Sequence, residues 1–292
     1  MVKKAVILAG GLGTRFAPAS FCCAKEMFPV VDLPVMFYHL KECVECGIAD
    51  VLIVAAPSKT EIKKFVFPKR KILEKIINSN EEQVKQYLDV IKQLKIKIVY
   101  QIKPKGSGDA VLMAKKWSKG QPFVVFNGDD LFDGQKSVLK QLIAVYEKTN
   151  KTVCAIQKVP KKDISKFGCA KVEKNNNYFE LQKIIEKPTS LEAPSQYAIV
   201  GRYVFDKNIF NKLKQVPCHN GEYYVVDAIN CLAMEKLAVA VKICAKHCDC
   251  GNKLEFAKTF VKFVLKRADL KDDFSVFIKK LSSRMEKSWK TH

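Results

Sequence analysis

Lys4-Ala5-Val6-Ile7-Leu8-Ala9-Gly10-Gly11-Leu12-Gly13-Thr14-Arg15 is the stretch that decides the fold. Residues 5–9 form a short unbroken apolar run, the pattern of a strand buried on both faces. The run feeds directly into Gly10, Gly11 and Gly13. Glycines at the carboxyl end of a strand let backbone N–H groups come close to a phosphate. Arg15 adds a permanently charged fork for phosphate oxygens. Two common phosphate loops fail on spacing. The dinucleotide fingerprint needs Gly or Ala where Phe16 stands. The Walker A loop needs Gly-Lys-Ser/Thr, which residues 10–16 lack; the stretch from Gly128 to Gly134-Gln135-Lys136-Ser137 misses the Gly-Lys junction. The reading is a nucleotide-phosphate loop of neither type, with Ala9, Gly10, Gly11, Gly13 and Thr14 as candidate binding positions.

Outward from this loop, short apolar runs alternate with helical patterns. Strands are predicted over 51–56, 96–101, 123–126, 153–158, 197–205 and 238–243. Helices are predicted over 35–46, 60–67, 81–94, 109–117, 138–148 and 226–235. This rhythm predicts an α/β fold: a Rossmann-like, mostly parallel sheet covered by helices on both faces. Residues 170–173 and 179–186 alternate more weakly, as in a small antiparallel insertion. Helices over 253–265 and 274–289 predict a catalytic domain over 1–252 and a helical extension over 253–292. Phe274, Val276, Phe277 and Leu281 form an apolar stripe on that extension, suited to its own domain or to an oligomer contact.

The chain has 292 residues, 48% of them apolar and 28% charged, which excludes a disordered or collagen-like chain. Lys and Arg total 51 against 30 Asp and Glu, a net charge of +21. Such a balance points to polyanions: nucleic acid, an acidic membrane surface or phosphorylated substrates. The lysines are spread along the chain, and no zinc-finger, RRM or aromatic-basic repeat accompanies them, so small phosphorylated molecules are preferred to nucleic acid. No run approaches the ~18 apolar residues that span a bilayer, and no secretory pattern is visible. Eleven cysteines, an odd number, predict reduced thiols and a cytoplasmic location. Cys43 and Cys46, with His247, Cys248 and Cys250, offer zinc-type ligands, but the helical setting of Cys43 and Cys46 favours buried thiols. Cys22-Cys23 is read as free thiols.

Four further motifs follow predicted strands or share the first loop. Lys25-Glu26-Met27 shares the long first loop with Arg15. Gly106-Ser107-Gly108-Asp109 opens a helix, where Ser107 or Asp109 either caps it or lies in a loop against a base or ribose. Asn127-Gly128-Asp129-Asp130 follows the 123–126 strand, at the edge where open α/β sheets bind ligands. Carboxylates there suit a hard cation. Asp249-Cys250-Gly251-Asn252-Lys253 supplies another carboxylate before a helix.

The order of these motifs resembles bacterial-type UTP–glucose-1-phosphate uridylyltransferases (UDP-glucose pyrophosphorylases), within the sugar-phosphate nucleotidyltransferases. The resemblance runs from Lys4 to about Phe263. It is carried by residues 9–15, Lys25-Glu26-Met27-Phe28-Pro29, Val31-Asp32-x-Pro34, Gly128-Asp129-Asp130, Phe167-Gly168 and Glu186-Lys187-Pro188. Ala193-Pro194-Ser195, Ala198-Ile199-Val200-Gly201-Arg202-Tyr203, Gly221-Glu222, Asp227-Ala228-Ile229 and residues 249–253 complete it. It implies UTP, glucose 1-phosphate, UDP-glucose and pyrophosphate as ligands, Mg²⁺ as cofactor, and a homo-oligomer, dimer or tetramer. It implies that Ala9, Gly10, Glu26, Gln101 and Gly106 hold the uridine, while Arg15 and Lys25 cradle the triphosphate beside Gly128. Asp129, helped by Asp249, would bind Mg²⁺. Glu186 would bind sugar hydroxyls, Lys187 the sugar phosphate, and Gly168, Val200 and Gly201 would line the sugar pocket. Arg15, Lys25 and Lys187 are thus the candidate catalytic residues. The nucleophile would be a phosphate oxygen with a second pKa of ~6, already deprotonated, so a site without histidine is expected. Phe21, Ala24, Leu33, Asp109 and Gly128 depart from the common Lys, Pro, Lys, His and Pro of the family, which leaves base and sugar selectivity open. The alternatives are a nucleotidyltransferase of other specificity, an inactive paralogue and a basic nucleic-acid-binding protein.

Overall fold

The apolar run of β1 (Lys4–Ala9) sits between two hydrophobic layers. Ala5, Ile7 and Ala9 enter one with Phe37, Leu40 and Phe126; Val6 enters the other with Leu52, Phe123 and Phe205. Period-2 alternation makes a strand apolar throughout when both its faces are covered. The computed structural model describes residues 1–76 and 81–289. Its further strands are β2 (Pro29–Val30), β3 (Leu33–Pro34), β4 (Asp50–Ala55), β5 (Lys95–Tyr100), β6 (Phe123–Asn127), β7 (Asp130–Asp133), β8 (Thr152–Lys158), β9 (Gly168–Asn175), β10 (Tyr178–Glu186), β11 (Tyr197–Phe205), β12 (Ala238–Lys242) and β13 (Lys246–Asp249). The helices are α1 (Ala19–Cys22), α2 (Val35–Glu45), α3 (Thr60–Val66), α4 (Arg70–Ile76), α5 (Glu82–Lys92), α6 (Gly106–Leu112), α7 (Lys115–Ser118), α8 (Val138–Thr149), α9 (Asn208–Leu213), α10 (Val225–Met234), α11 (Lys253–Val264) and α12 (Lys271–Trp289).

Nine strands make one sheet in the order β5-β4-β1-β6-β11-β8-β12-β10-β9. β5, β4, β1 and β6 are mutually parallel. β11 runs antiparallel to both β6 and β8, while β12 is parallel to β8. β10 is antiparallel to β12 and to β9. All strands except β11 and β10 therefore point one way, and the carboxyl ends of β1, β5 and β6 open on one edge. The expected antiparallel insertion is the β9–β10 hairpin, which continues the main sheet through Phe179 and Glu180 against β12.

Several elements lie outside the sequence expectations: α1, α4, α9 and the short antiparallel β2–β3 pair have no predicted counterpart, and the helix predicted over 109–117 is broken in two. Helix α6 starts at Gly106 and separates from α7 near Ala114. A second small sheet pairs β7 with β13, setting Asp249 opposite Asp130. These strands are four residues each and largely polar, so neither carries an apolar signature. Helix α11 packs on the main body through its aromatic face: Phe256 meets Phe16 and Phe28 edge-on, and Phe263 meets Tyr38. Asn252 caps this helix by accepting from the N–H groups of Leu254 and Glu255. The cysteines are all free. Cys43 is buried in one core layer, whereas Cys248 and Cys250 pack with Val30, Val35 and Leu131.

Candidate active site

Two adjoining cavities open where β1, β5 and β6 end. The larger, about 570 Å³, is lined by Arg15, Lys25, Asp129, Gly168, Glu186, Lys187, Val200, Gly201 and Asp249. The smaller, about 230 Å³, is lined by Gly10, Gly11, Gln101, Gly106, Gly128 and Asp129. Asp129 stands on the wall that the two share. Ala9, Gly13, Thr14 and Glu26 line neither cavity. Ala9 is fully buried at the end of β1. Gly13 takes a left-handed conformation at φ 70° that starts the tight turn Thr14–Phe16. Glu26 turns inward, and both its oxygens accept from Lys59 Nζ at 2.9 and 2.8 Å. Burial still pushes the Glu26 carboxyl up, against the pull of Lys59 and Lys25.

Charge is concentrated at the junction. Lys25 Nζ donates to Asp129 Oδ2. Burial works against the Lys25 ammonium, yet the Asp129 and Glu26 carboxylates hold its pKa above the ordinary lysine value. Arg15 Nη1 lies 3.9 Å from Asp249 Oδ2. Burial, then the neighbouring Asp130 and Asp129 carboxylates, raises the Asp249 carboxyl. A side chain at Gly251 would run into the Asp129 carboxylate and lie 3.0 Å from Asp249 Oδ1, so both carboxylates stand against the bare Gly251 backbone. Hard oxygen donors that crowd each other's charge fit a divalent cation such as Mg²⁺.

Glu186 and Lys187 close the far side of the larger cavity. Glu186 pairs with Gly168 across the β9–β10 hairpin, and its Oε2 is buried without a hydrogen-bond partner among the described residues. Burial raises its pKa, despite Lys187. Lys187 lies 3.8 Å from Glu186 Oε1 and rests over the Tyr224 ring.

Sequence reasoning expected no histidine here, and the structure corrects this. His247 lines the larger cavity, with Nε2 2.6 Å from Asp130 Oδ1. Burial works against each charge of this pair, but each partner holds the other ionised: Asp130 is kept down at about 2, and His247 is raised. Asn127 Nδ2 donates to the other Asp130 oxygen at 2.8 Å. His247 and Asp249 are two residues apart on β13, and period 2 puts both on one face; that spacing was the available signal. Glu222, Tyr224 and Asn252 also line the larger cavity without having been read as site residues.

The family departures have local partners. The Ala24 N–H donates to Glu61 Oε1, a bond that Pro could not make. The Gly128 N–H donates to the Leu8 carbonyl at 2.9 Å, and a side chain at this position would strike that same oxygen. Neither Ser107 nor Asp109 caps α6: Ser107 Oγ accepts from the Val225 N–H at 3.1 Å, and Asp109 accepts from Gln101. Phe21 is exposed on α1, and nothing in the structure explains it.

Comparison with known proteins agrees with this geometry. The nucleotidyl transferase family matches residues 4–264. UTP–glucose-1-phosphate uridylyltransferase 2 of Streptococcus pyogenes serotype M3 is 35% identical over 294 aligned positions, covering 98% of each chain. A UTP-bound UGPase from Acinetobacter baumannii superposes with a TM-score of 0.87 at 29% identity, over 96% of this chain and 100% of its own. A UDP-glucose pyrophosphorylase complexed with UDP-glucose gives 0.84 at 30% identity, over 91% and 100%. With the match running through both cavity walls and the relative aligned end to end, the chain belongs to the nucleotidyl transferase family.

Proposed function

We propose that this protein transfers the uridylyl group of UTP to glucose 1-phosphate, giving UDP-glucose and pyrophosphate. The observation that carries the reading is the pair of joined cavities. The smaller has glycine-lined walls that suit a base and ribose, and the larger ends in a buried carboxylate oxygen, unpartnered among the described residues, that suits sugar hydroxyls. Asp129 lies between them, where the α-phosphate of UTP would stand. The relatives carry the same activity in their names.

Each residue then has a physical task. Gly10, Gly11 and Gly106 give backbone access to the nucleotide, and Gln101 meets the base edge. Arg15 and Lys25 neutralise the triphosphate; Lys25 must leave Asp129 or share it as phosphate enters. Lys187 holds the phosphate of glucose 1-phosphate for in-line attack, and Glu186 accepts from sugar hydroxyls. The attacking oxygen needs no general base. His247 is therefore read as a holder of Asp130 and not as a proton acceptor. Asp129 and Asp249 would hold Mg²⁺, which supplies charge neutralisation on the phosphates when bound. Alignment and charge neutralisation are the main levers in this chemistry.

We read residues 1–252 as the catalytic domain and residues 253–292 as a helical extension that joins copies of the chain into a homo-oligomer. No helix among the described residues is long and apolar enough to cross a membrane, and the free cysteines support a reducing, cytoplasmic setting. The test is pyrophosphate release from UTP, CTP, GTP, ATP or dTTP with a panel of sugar 1-phosphates, with and without Mg²⁺. Release with UTP and glucose 1-phosphate, abolished by chelation, is expected; silence across the panel refutes the reading.

A further inference from the structure

Gln101 follows β5 directly and is 6% exposed. A side-chain amide has a donor end and an acceptor end, and its neighbours decide which end faces a ligand. Here Nε2 donates to Asp109 Oδ2 at 2.7 Å and to the Gly106 carbonyl at 3.2 Å. A carboxylate and a backbone carbonyl only accept. Reversing the amide would set oxygen against oxygen at both contacts. Oε1 is thus turned towards Gly10, where it fills the space that a β-carbon would need. It accepts no hydrogen bond among the described residues. Gln101 lines the smaller cavity, and Asp109 stands behind it without lining the cavity.

We propose that Asp109 is a positioning residue for base selection: by fixing the Gln101 amide, it presents Oε1 as a standing acceptor for the N3–H of a uracil or thymine ring. This rests on reading the smaller cavity as the base site. Uracil N3 carries a proton and donates; cytosine N3 carries a lone pair and accepts. A glutamine free to rotate would serve either base. A glutamine held by Asp109 pairs with the first and sets a lone pair against the second, and unpaired buried groups are what make such sites selective.

The experiment is calorimetric binding of UTP, CTP, dTTP and N3-methyl-UTP to wild type, Asp109→Leu and Asp109→Asn. Wild type should prefer UTP to CTP and to N3-methyl-UTP, which lacks the donor. Asp109→Leu removes the shorter contact and leaves Nε2 only the 3.2 Å bond to the Gly106 carbonyl, and it should lower the UTP:CTP preference about tenfold, or about 1.4 kcal/mol. Its UTP:dTTP ratio should stay within about twofold, because both bases carry N3–H. Asp109→Asn keeps an acceptor oxygen and should retain the UTP:CTP preference. Ratios within one variant cancel a general loss of folded protein or of phosphate affinity. Undiminished UTP:CTP preference in Asp109→Leu overturns the proposal, as does wild type that binds N3-methyl-UTP or CTP as tightly as UTP; the last two need no variant to fold. Turnover of UTP with glucose 1-phosphate is measured on the same wild-type sample. Its absence sinks the uridylyltransferase reading, while the binding ratios judge Asp109 independently.

Discussion

His39 accepts a hydrogen bond from Arg202: the guanidinium Nη2 lies 3.0 Å from Nδ1 of the ring. Arginine only donates, so Nδ1 carries no proton, and the proton on Nε2 goes to the Gly128 carbonyl at 3.0 Å. Arg202 in turn donates to Glu42 at 3.2 Å and lies over the Phe126 ring. The turn that presents Asp129 is therefore suspended from a neutral, fully buried imidazole.

That arrangement has a pH signature. Burial, then the Arg202 charge, lowers the His39 pKa from 6.5 to about 3. In the unfolded chain the imidazole protonates near its ordinary value. Between those two pKa values the unfolded state binds the extra proton, so this group costs stability as pH falls and contributes nothing above the unfolded value. The slope is about 1.4 kcal/mol per pH unit. His39→Gln removes the titration. In urea unfolding, the stability of wild type relative to His39→Gln should fall by roughly that slope between pH 6 and pH 4. An unchanged difference across that range would show that His39 is not held neutral.

Asp129→Asn and Lys187→Ala test the charge at the reaction centre. Each should lower turnover about 10²–10³-fold, the usual cost of losing one group that stabilises developing charge. Asp129 and Lys187 are partly open to solvent, so both variants should unfold within about 1 kcal/mol of wild type. Near-normal turnover in either variant would remove that residue from the proposed site.

The Lys59–Glu26 pair is a matter of stability. Lys59 is 7% exposed and Glu26 1%, so Lys59→Met strands a buried carboxylate. The expected loss is about 3–5 kcal/mol. Adding Glu26→Gln removes the stranded charge and should recover most of it. Chemical denaturation of the single and double variants decides: equal losses in both would mean that Glu26 is not held by Lys59.

These contacts mark where the sequence was legible. The glycine loop, the strands beside it and the Gly128-Asp129 turn are local events: an apolar run ends, glycines follow, and the chain must turn. Glu26 was readable as a residue but not as a direction, because Lys59, 33 positions away, decides where its carboxylate points. The Asp130–His247 pair joins positions 117 apart on two polar strands that hold each other in place. Ala24 and Gly128 looked like departures only; their backbone N–H bonds to Glu61 and Leu8 show them to be fitted to this chain. Local pattern reaches strand ends and turns, and side-chain partners chosen across the fold lie beyond it.

Helix α12 carries the last prediction. Phe277, Leu281 and Met285 recur every fourth residue and so share a face, and they are 54%, 42% and 46% exposed. Phe274 and Phe277 meet at 5.9 Å and border a groove with Val31, Phe260, Val264 and Leu270. Helix α11 spends its aromatic face on the chain's own body, so the α12 stripe is the part of the extension left to meet another copy. A contiguous apolar patch with a polar rim, here Asp269 and Asp273, marks such a contact. Phe277→Asp with Leu281→Asp places two charges in it, too costly to bury unpaired. In sedimentation at micromolar concentration, wild type should run as a dimer or tetramer, and the double variant as the 33.1 kDa monomer with its unfolding midpoint kept. A wild type that is already monomeric, or a double variant that sediments like wild type, would mean that this face does not join copies of the chain.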